Sequence, residues 1–471
     1  MSPDSIAEPR PAVCFDPELI RKYDQSGPRY TSYPTADRFT EAFTAADWVN
    51  ALLGRQSAAG GKAGALSLYV HVPFCDTICY YCACNKVVTR DHSRAARYLR
   101  YVGQEIGMAA ALVENSSPVE QVHWGGGTPT FLSADEMRAL MGMLRGAFTF
   151  APEPEISIEV DPRKVDVSTV ALLADLGFNR ISLGVQDFDP AVQRAVNRIQ
   201  SEQETRSVID AARAHGFCSV NVDLIYGLPL QTQRGFAATL DKVIAASPDR
   251  IALYSYAHVP HLFKPQRSID VTELPPPAEK LAILELAIGK LTKAGFVYIG
   301  MDHFAKPEDE LAVAQRQGKL HRNFQGYSTH ADCDLLAFGI SAIGKVGPSY
   351  AQNVRTLDQY YARLDAGVLP VLRGTTLVAD DLLRRNVIQR LMCDFELDYA
   401  AIEGAHGIRF AEYFDPERAA LEALAADGLV ELPVGGIRVT PRGRLLVRTV
   451  AMVFDRYLRE QRERARYSKV I

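Results

Sequence analysis

Tyr69-Val-His-Val-Pro-Phe-Cys75-Asp-Thr-Ile-Cys79-Tyr-Tyr-Cys82-Ala-Cys84-Asn-Lys86 places four cysteines inside ten residues. The first three follow the spacing C-x3-C-x2-C, and the fourth comes two residues later. Upstream, Leu66, Leu68, Val70 and Val72 alternate with Ser67, Tyr69 and His71, which is the period of a strand. The stretch therefore predicts a strand running into a cysteine loop. Three thiolates on one short loop can converge on one metal centre. Three are one too few for a four-iron cube, so one iron stays open to another ligand. The competing use is a closed zinc site of Cys75, Cys79, Cys82 and Cys84, although structural zinc usually draws on two well-separated ligand pairs. Cys14, Cys218, Cys333 and Cys393 are scattered, and eight cysteines in 471 residues is the usage of a reducing compartment, not a disulfide framework.

The bulk numbers bound the rest. A chain of 471 residues makes about two to three domains. It is 47% hydrophobic and 23% charged with a net charge of −4, which argues against a general binder of nucleic acid or anionic membrane. No apolar run approaches a membrane span. Residues 1–10 are acidic and proline-broken, without the apolar core of a signal peptide. The expectation is a cytoplasmic, monomeric protein without solenoid repeats.

Residues 1–60 read as an N-terminal extension. Pro9, Pro11 and Pro28 interrupt it, and Gly27-Pro28-Arg29-Tyr30-Thr31-Ser32-Tyr33-Pro34-Thr35 cannot be a long helix. Gly60-Gly61 and Gly64 mark a junction. Residues 61–375 hold the main domain. Strands are expected at 66–72, 119–124, 155–161, 180–186, 220–225, 250–258 and 296–302, with helices between them. One helix, 133–148, opens on the capping box Ser133-Ala-Asp-Glu136. Repeated strand–helix units imply parallel pairing with right-handed crossovers, and the count suits an open, partial (β/α)6 barrel, an α/β fold. Residues 306–320 read as a helix, 321–327 as a loop and 334–343 as an apolar segment. Residues 376–471 read as a small winged-helix-like domain. From 438 to 469 there are ten basic and three acidic residues. That raises nucleic-acid binding, but the acidic total favours a solvated basic helix instead.

In such barrels the site lies at the carboxyl ends of the strands. There the second strand ends in Gly125-Gly126-Gly127-Thr128, which lets a ligand approach the backbone closely. On the third strand Glu159 shares a face with Ser157 and Asp161. Ser182, Gly184 and Gln186 share a face of the fourth, and Asn221 and Asp223 a face of the fifth. Carboxylates and amides on neighbouring inward faces suit ribose hydroxyls and an ammonium group. A hydrogen-bonded polar core layer would use the same residues.

The cysteine spacing resembles the signature of the radical S-adenosylmethionine (SAM) enzymes. The chain as a whole resembles the oxygen-independent coproporphyrinogen III oxidases (dehydrogenases) of haem biosynthesis. The similarity runs through 27–35, 69–90, 125–132, 155–162, 184–188 with Val196-Asn197-Arg198, and 221–229. It continues through 256–258, 300–305, 321–327 and 341–343. It implies a radical SAM barrel whose Cys75, Cys79 and Cys82 hold a [4Fe–4S] cluster, with Cys84 beside it and not ligating it. It implies two SAM molecules. The first would meet Tyr69, Gly126, Glu159 and Ile343. The second would meet Tyr81, Gly127, Thr128, Gln186, Arg198, Asp223 and Ala257. Tyr69 and Cys84 are the candidate catalytic residues. The implied reaction is oxidative decarboxylation of two propionates of coproporphyrinogen III to vinyl groups, giving protoporphyrinogen IX, with an electron donor and an electron acceptor as partners. Four substrate carboxylates call for cations, and Arg29, Lys86, Arg90 and Arg322 are the candidates. His71, His258 and His303 receive no acid–base role, because hydrogen abstraction needs no base. A haem-trafficking relative of the same superfamily is the alternative. Such proteins lack the 28–34 segment and carry Phe in place of Cys84, so both features favour the oxidase.

Overall fold

A computed structural model describes residues 13–58, 64–113, 117–331 and 333–460. The expected Gly60-Gly61 junction, residues 1–12 of the extension and residues 461–471 of the basic stretch lie outside the described residues. The chain divides into two units, one of residues 37–284 and 332–377, the other of 1–36, 285–331 and 378–471.

In the first unit six strands alternate with helices: β1 (Leu66–Val72), β2 (Val119–Gly126), β3 (Phe150–Val160), β4 (Arg180–Gln186), β5 (Ser219–Tyr226) and β6 (Arg250–Ser255). They pair parallel in chain order, as expected for the partial barrel. Crossover helices cover them. The helix Ala134–Ala147 starts on the predicted capping box: Glu136 N donates to Ser133 Oγ (3.3 Å) and Ser133 N to Glu136 Oε2 (2.8 Å). On β4, Ile181, Leu183 and Val185 are buried, while Ser182, Gly184 and Gln186 face the other way. Each buried aliphatic side chain is worth ~2 kcal/mol, so a one-residue slip that reversed the faces is strongly disfavoured.

The sheet continues past β1. β7 (Asp334–Phe338) pairs parallel with the free edge of β1. β8 (Ile343–Val346), β9 (Ser349–Asn353) and β10 (Val371–Thr376) follow antiparallel. The order in this unit is β10-β9-β8-β7-β1-β2-β3-β4-β5-β6. The apolar segment 334–343 is thus a strand and a turn.

In the second unit the expected strand 296–302 is no further parallel member. Val297–Gly300 instead forms an antiparallel hairpin with His303–Ala305. The expected loop 321–327 is also a hairpin, His321–Asn323 with Gly326–Ser328, and Gly326 turns it at φ +116°. The strands Glu396–Asp398, Gly436–Val439 and Val430–Glu431 make a three-stranded sheet accompanied by the helices Tyr399–His406 and Arg418–Ala426, the expected winged-helix-like arrangement.

The basic C-terminal stretch is not a solvated face throughout. Arg444 and Arg448 are 6% and 2% exposed. Arg448 donates through Nε to Pro28 O (2.9 Å) and through its terminal nitrogen to Gly27 O. Arg442 pairs with Asp16 (2.5 Å), Tyr30 OH donates to Asp455 (3.0 Å), and Arg456 pairs with Asp380 and Asp381 (2.7 and 3.1 Å). These cations grip the N-terminal segment and the neighbouring helices, because buried guanidinium groups need acceptors. Among the described residues no helix is long and apolar enough to cross a membrane.

Candidate active site

The cysteine loop leaves β1 through Pro73. Phe74–Cys75 pairs parallel with Val87–Val88 and closes the loop's base. Asn197 Nδ2 donates to Ile78 O (2.7 Å), Tyr80 N to Val196 O (3.0 Å), and Lys86 Nζ to Cys82 O (3.1 Å) and Cys84 O (3.3 Å). Gln266 Nε2 bridges Tyr81 O and Ala257 O, both at 3.1 Å, and so brings those two candidates together. All four thiols are free. Thr128 Oγ1 donates to Cys75 Sγ (3.5 Å), and Arg198 and Arg163 donate to Cys79 Sγ (3.6 and 3.9 Å). A hydrogen bond from Cys84 holds the Cys82 thiol low against burial, with help from Lys86, whereas burial pushes Cys75 up to about 11. Donors on the sulfurs favour thiolate.

Around the loop lies a cavity of about 350 Å³ whose wall includes Cys75, Cys79, Cys82, Cys84, Tyr81, Gly126, Gly127, Thr128, Glu159, Gln186, Arg198 and Asp223. Eleven of the positions picked from the sequence as cofactor or cluster contacts thus converge, with Lys86 and Cys84 at the same wall. Ala257, Ile343 and Tyr69 are not among the residues that line it.

The polar floor has three parts. Tyr69 stacks on His123 (5.8 Å between ring centres) and its hydroxyl donates to His71 Nδ1 (3.1 Å). His71 Nε2 must then carry the proton that it donates to Asn85 O (2.9 Å), and burial keeps this imidazole neutral by lowering its pKa. Glu159 accepts from Gly126 N (3.1 Å) and faces His123 Nε2 (3.5 Å). Its carboxylate lies deep, but cavity solvent reaches one side of it, so its side chain is 47% exposed. Burial raises its pKa, yet His123 and the Gly126 amide outweigh burial and hold it below the usual range. Asp223 accepts from Ser182 Oγ (3.0 Å) and Asn221 Nδ2 (2.8 Å). Burial and the Glu159 charge push it up to about 6.

Arg163 and His123 belong to this constellation and were not singled out from sequence; Asp161 and Ser182 were placed on its inward faces without a role of their own, and His71 was given no acid–base role. Arg163 binds Asp161 at 2.6 Å, and Arg198 reaches the same carboxylate at 3.3 Å and Gly184 O at 2.5 Å. The Asp161-Pro-Arg163 turn after a strand was the available signal. The substrate cations fare differently. Lys86 is spent on loop carbonyls, and Arg90 is exposed. In the other unit Arg29 pairs with Asp302, and Arg322, 3% exposed, lies over the Tyr327 ring (4.7 Å) with Nε on Arg29 O (3.4 Å). Arg322 therefore supports the backbone that carries Arg29.

The donor set fits a cluster better than one zinc ion. Among the described residues no three of the loop's sulfurs lie within 4.8 Å of one another, whereas thiolates at about 2.3 Å from one tetrahedral zinc sit about 3.8 Å apart.

The family model described as the Radical SAM superfamily matches residues 69–243, and the HemN C-terminal domain matches 377–446. The chain is thus a radical SAM protein, a class that works with a [4Fe–4S] cluster and SAM. It is 51% identical over 461 residues to the oxygen-independent coproporphyrinogen III oxidase of Pseudomonas aeruginosa, covering 98% of this chain and 99% of that one. It is 49% identical to that of Escherichia coli, with the same coverage. A solved structure described as the Escherichia coli coproporphyrinogen III oxidase HemN, a radical SAM enzyme, superposes with a TM-score of 0.90 at 48% identity, over 95% of this chain and all of that one. The chain belongs to the oxygen-independent coproporphyrinogen III oxidase family.

Proposed function

We propose that this protein converts coproporphyrinogen III to protoporphyrinogen IX by anaerobic oxidative decarboxylation of two propionates. The observation that supports this most is the full-length likeness to the oxidases, together with a cavity that joins the cysteine triad to Glu159 and Asp223. Cys75, Cys79 and Cys82 would hold the cluster. When bound, that cluster would supply the one-electron reduction of SAM on which hydrogen abstraction from a propionate depends. The residues named for two SAM molecules keep those roles here: Tyr69, Gly126, Glu159 and Ile343 for the first, and Tyr81, Gly127, Thr128, Gln186, Arg198, Asp223 and Ala257 for the second. A cytoplasmic location fits eight cysteines that form no disulfide among the described residues, and a monomer served by a separate electron donor and acceptor belongs to the same proposal.

The test is anaerobic. Reconstituted protein with reductant, SAM and coproporphyrinogen III is expected to yield protoporphyrin product and matching 5′-deoxyadenosine by chromatography. Haem retention without product would favour the trafficking relative.

Two predictions arise here. Arg29→Ala is expected to raise KM for coproporphyrinogen roughly tenfold, the loss of one charge-assisted contact, with little change in the SAM KM. Unchanged KM and turnover would remove the N-terminal segment from the substrate site. For Asp223, only the carboxylate accepts at both oxygens. SAM affinity should therefore fall as pH drops through about 6. Asp223→Asn should weaken binding roughly tenfold and abolish the step. Stability runs the other way. A carboxyl whose pKa is raised on folding binds its proton more tightly in the folded state, so its contribution is present below the unfolded value of 3.8 and is lost as pH rises through about 6. Calorimetric SAM titrations across that window separate the two effects.

A further inference from the structure

Outside the residues that line the cavity, a buried carboxylate is left unused by the proposed chemistry. Glu105 sits on the helix Ser93–Ala110 and is 3% exposed. Three neutral donors meet it: Tyr360 OH (2.5 Å), Asn353 Nδ2 (2.6 Å) and Gly339 N (2.8 Å). Among the described residues its partners include no cation. A buried carboxylate without a counter-ion is costly unless each lone pair is used, and here the donors lie on three separate elements.

Those donors define a closed circuit. Gly339 and Ser341 hold the turn between β7 and β8 at φ +95° and +58°. A Cβ on Gly339 would come within 2.8 Å of His71 O, so the turn presses against the end of β1. Tyr98, on the same helix as Glu105, donates to His71 O (2.7 Å) and accepts from Ile340 N (3.2 Å). His71 donates to Asn85 O (2.9 Å), and Asn85 Nδ2 donates to Arg355 O (3.0 Å). Arg355 lies two residues past Asn353, whose side chain binds both Glu105 and Gly339 O (2.9 Å). The circuit therefore links the turn before Ile343 to the end of the cysteine loop just after Cys84, and Glu105 is the acceptor where its arms meet.

We propose that Glu105 is a positioning residue for the SAM site, setting the 339–342 turn and, through His71 and Asn85, the Cys84–Asn85 end of the cluster loop. This rests on the reading above that Ile343 and the cysteine loop serve SAM. The chemistry requires a carboxylate. Glutamine has the same shape, but it turns one acceptor oxygen into an NH2 that opposes the Gly339 amide or the Asn353 amide. The two arms cannot then both close.

The experiment uses reconstituted full-length protein at about pH 8, where this carboxyl is mostly ionised although burial lifts it to about 7. Glu105→Gln and Tyr360→Phe are compared with wild type for iron and sulfide content, for SAM KM and coproporphyrinogen KM, and for the SAM concentration that half-shifts the EPR signal of the reduced cluster. For Glu105→Gln, wild-type iron is expected with a roughly tenfold rise in SAM KM and in the half-shift concentration, and coproporphyrinogen KM within about twofold. Tyr360→Phe, which removes one donor of three, should move the same two readouts about two- to threefold. Unchanged SAM readouts in either cluster-loaded variant overturn the proposal, as does an equal rise in both KM values. Should Glu105→Gln not load its cluster, Tyr360→Phe decides by the same criteria. A wild type that binds and cleaves SAM but leaves coproporphyrinogen intact overturns the substrate reading alone, because the SAM readouts stand without it. A wild type that does not bind SAM overturns both.

Discussion

Cys79→Ala is expected to abolish product formation, with a loss of at least about 10³-fold, because a group that acts as a unit fails when one member goes. Cys79 is the middle ligand candidate of the triad and the sulfur that Arg198 and Arg163 both approach. Removing it takes away a third of the thiolate set. It also leaves the two guanidinium groups sharing only Asp161. Iron and acid-labile sulfide should fall from about four of each per chain to a small fraction, and 5′-deoxyadenosine should disappear together with porphyrin product. Cys84→Ala is the contrasting case. Cys84 only donates to Cys82, so iron should be retained while turnover drops. Iron content and SAM cleavage that survive in Cys79→Ala would show that the triad is not the cluster site. Zinc bound by all four thiols would instead make both variants lose metal alike.

Gly126→Ala is expected to cost about 10²-fold in turnover with the cysteines untouched. Gly126 sits at φ +117°, a region that L side chains rarely adopt, which costs ~1–3 kcal/mol in itself. Its Cβ would also stand 2.6 Å from Cε1 and Nδ1 of His71. That ring cannot withdraw freely, since Nδ1 accepts from Tyr69 and Nε2 holds Asn85 O. The substitution must therefore break the Tyr69 contact, the Asn85 contact, or the hydrogen bond from Gly126 N to Glu159. Each belongs to the expected SAM surface. The measurement is SAM KM and kcat on cluster-loaded protein. Wild-type kinetics with full iron would mean that the close approach of β1 and β2 has no bearing on the reaction.

Much of this was legible locally. Six strands were found near their observed positions, β1, β3, β4 and β5 because one face of each is apolar at a period of two, and the Ser133 capping box because its partners are three residues apart. The cavity wall was legible for the same reason. Residues at strand ends with a defined inward face, such as Glu159 and Asp223, are placed by alternation once the pairing is parallel. Errors arose where a segment's partner lies far away. Residues 321–327 looked like a loop because three-residue strands carry almost no period. Residues 334–343 looked merely apolar because nothing local says that β7 will pair with β1.

Charge was the least legible property. Lys86 and Arg322 suit substrate carboxylates by type, and only folding shows that each also holds backbone carbonyls, of the cysteine loop and of Arg29 respectively. Arg448 counted toward a basic surface and turned out to hold Gly27 and Pro28. Glu105 gave no signal, since a glutamate on a helix rich in arginine looks like any exposed one. The sequence by itself determined the cysteine loop, the glycine-lined strand end and the parallel barrel, because each depends on residues within a few positions or on a repeating period. The tertiary structure alone decided which acceptors the cations meet and which carboxylate holds the turn between β7 and β8. Those outcomes depend on acceptors brought together by folding from positions as distant as Pro28 and Arg448, or Glu105 and Asn353.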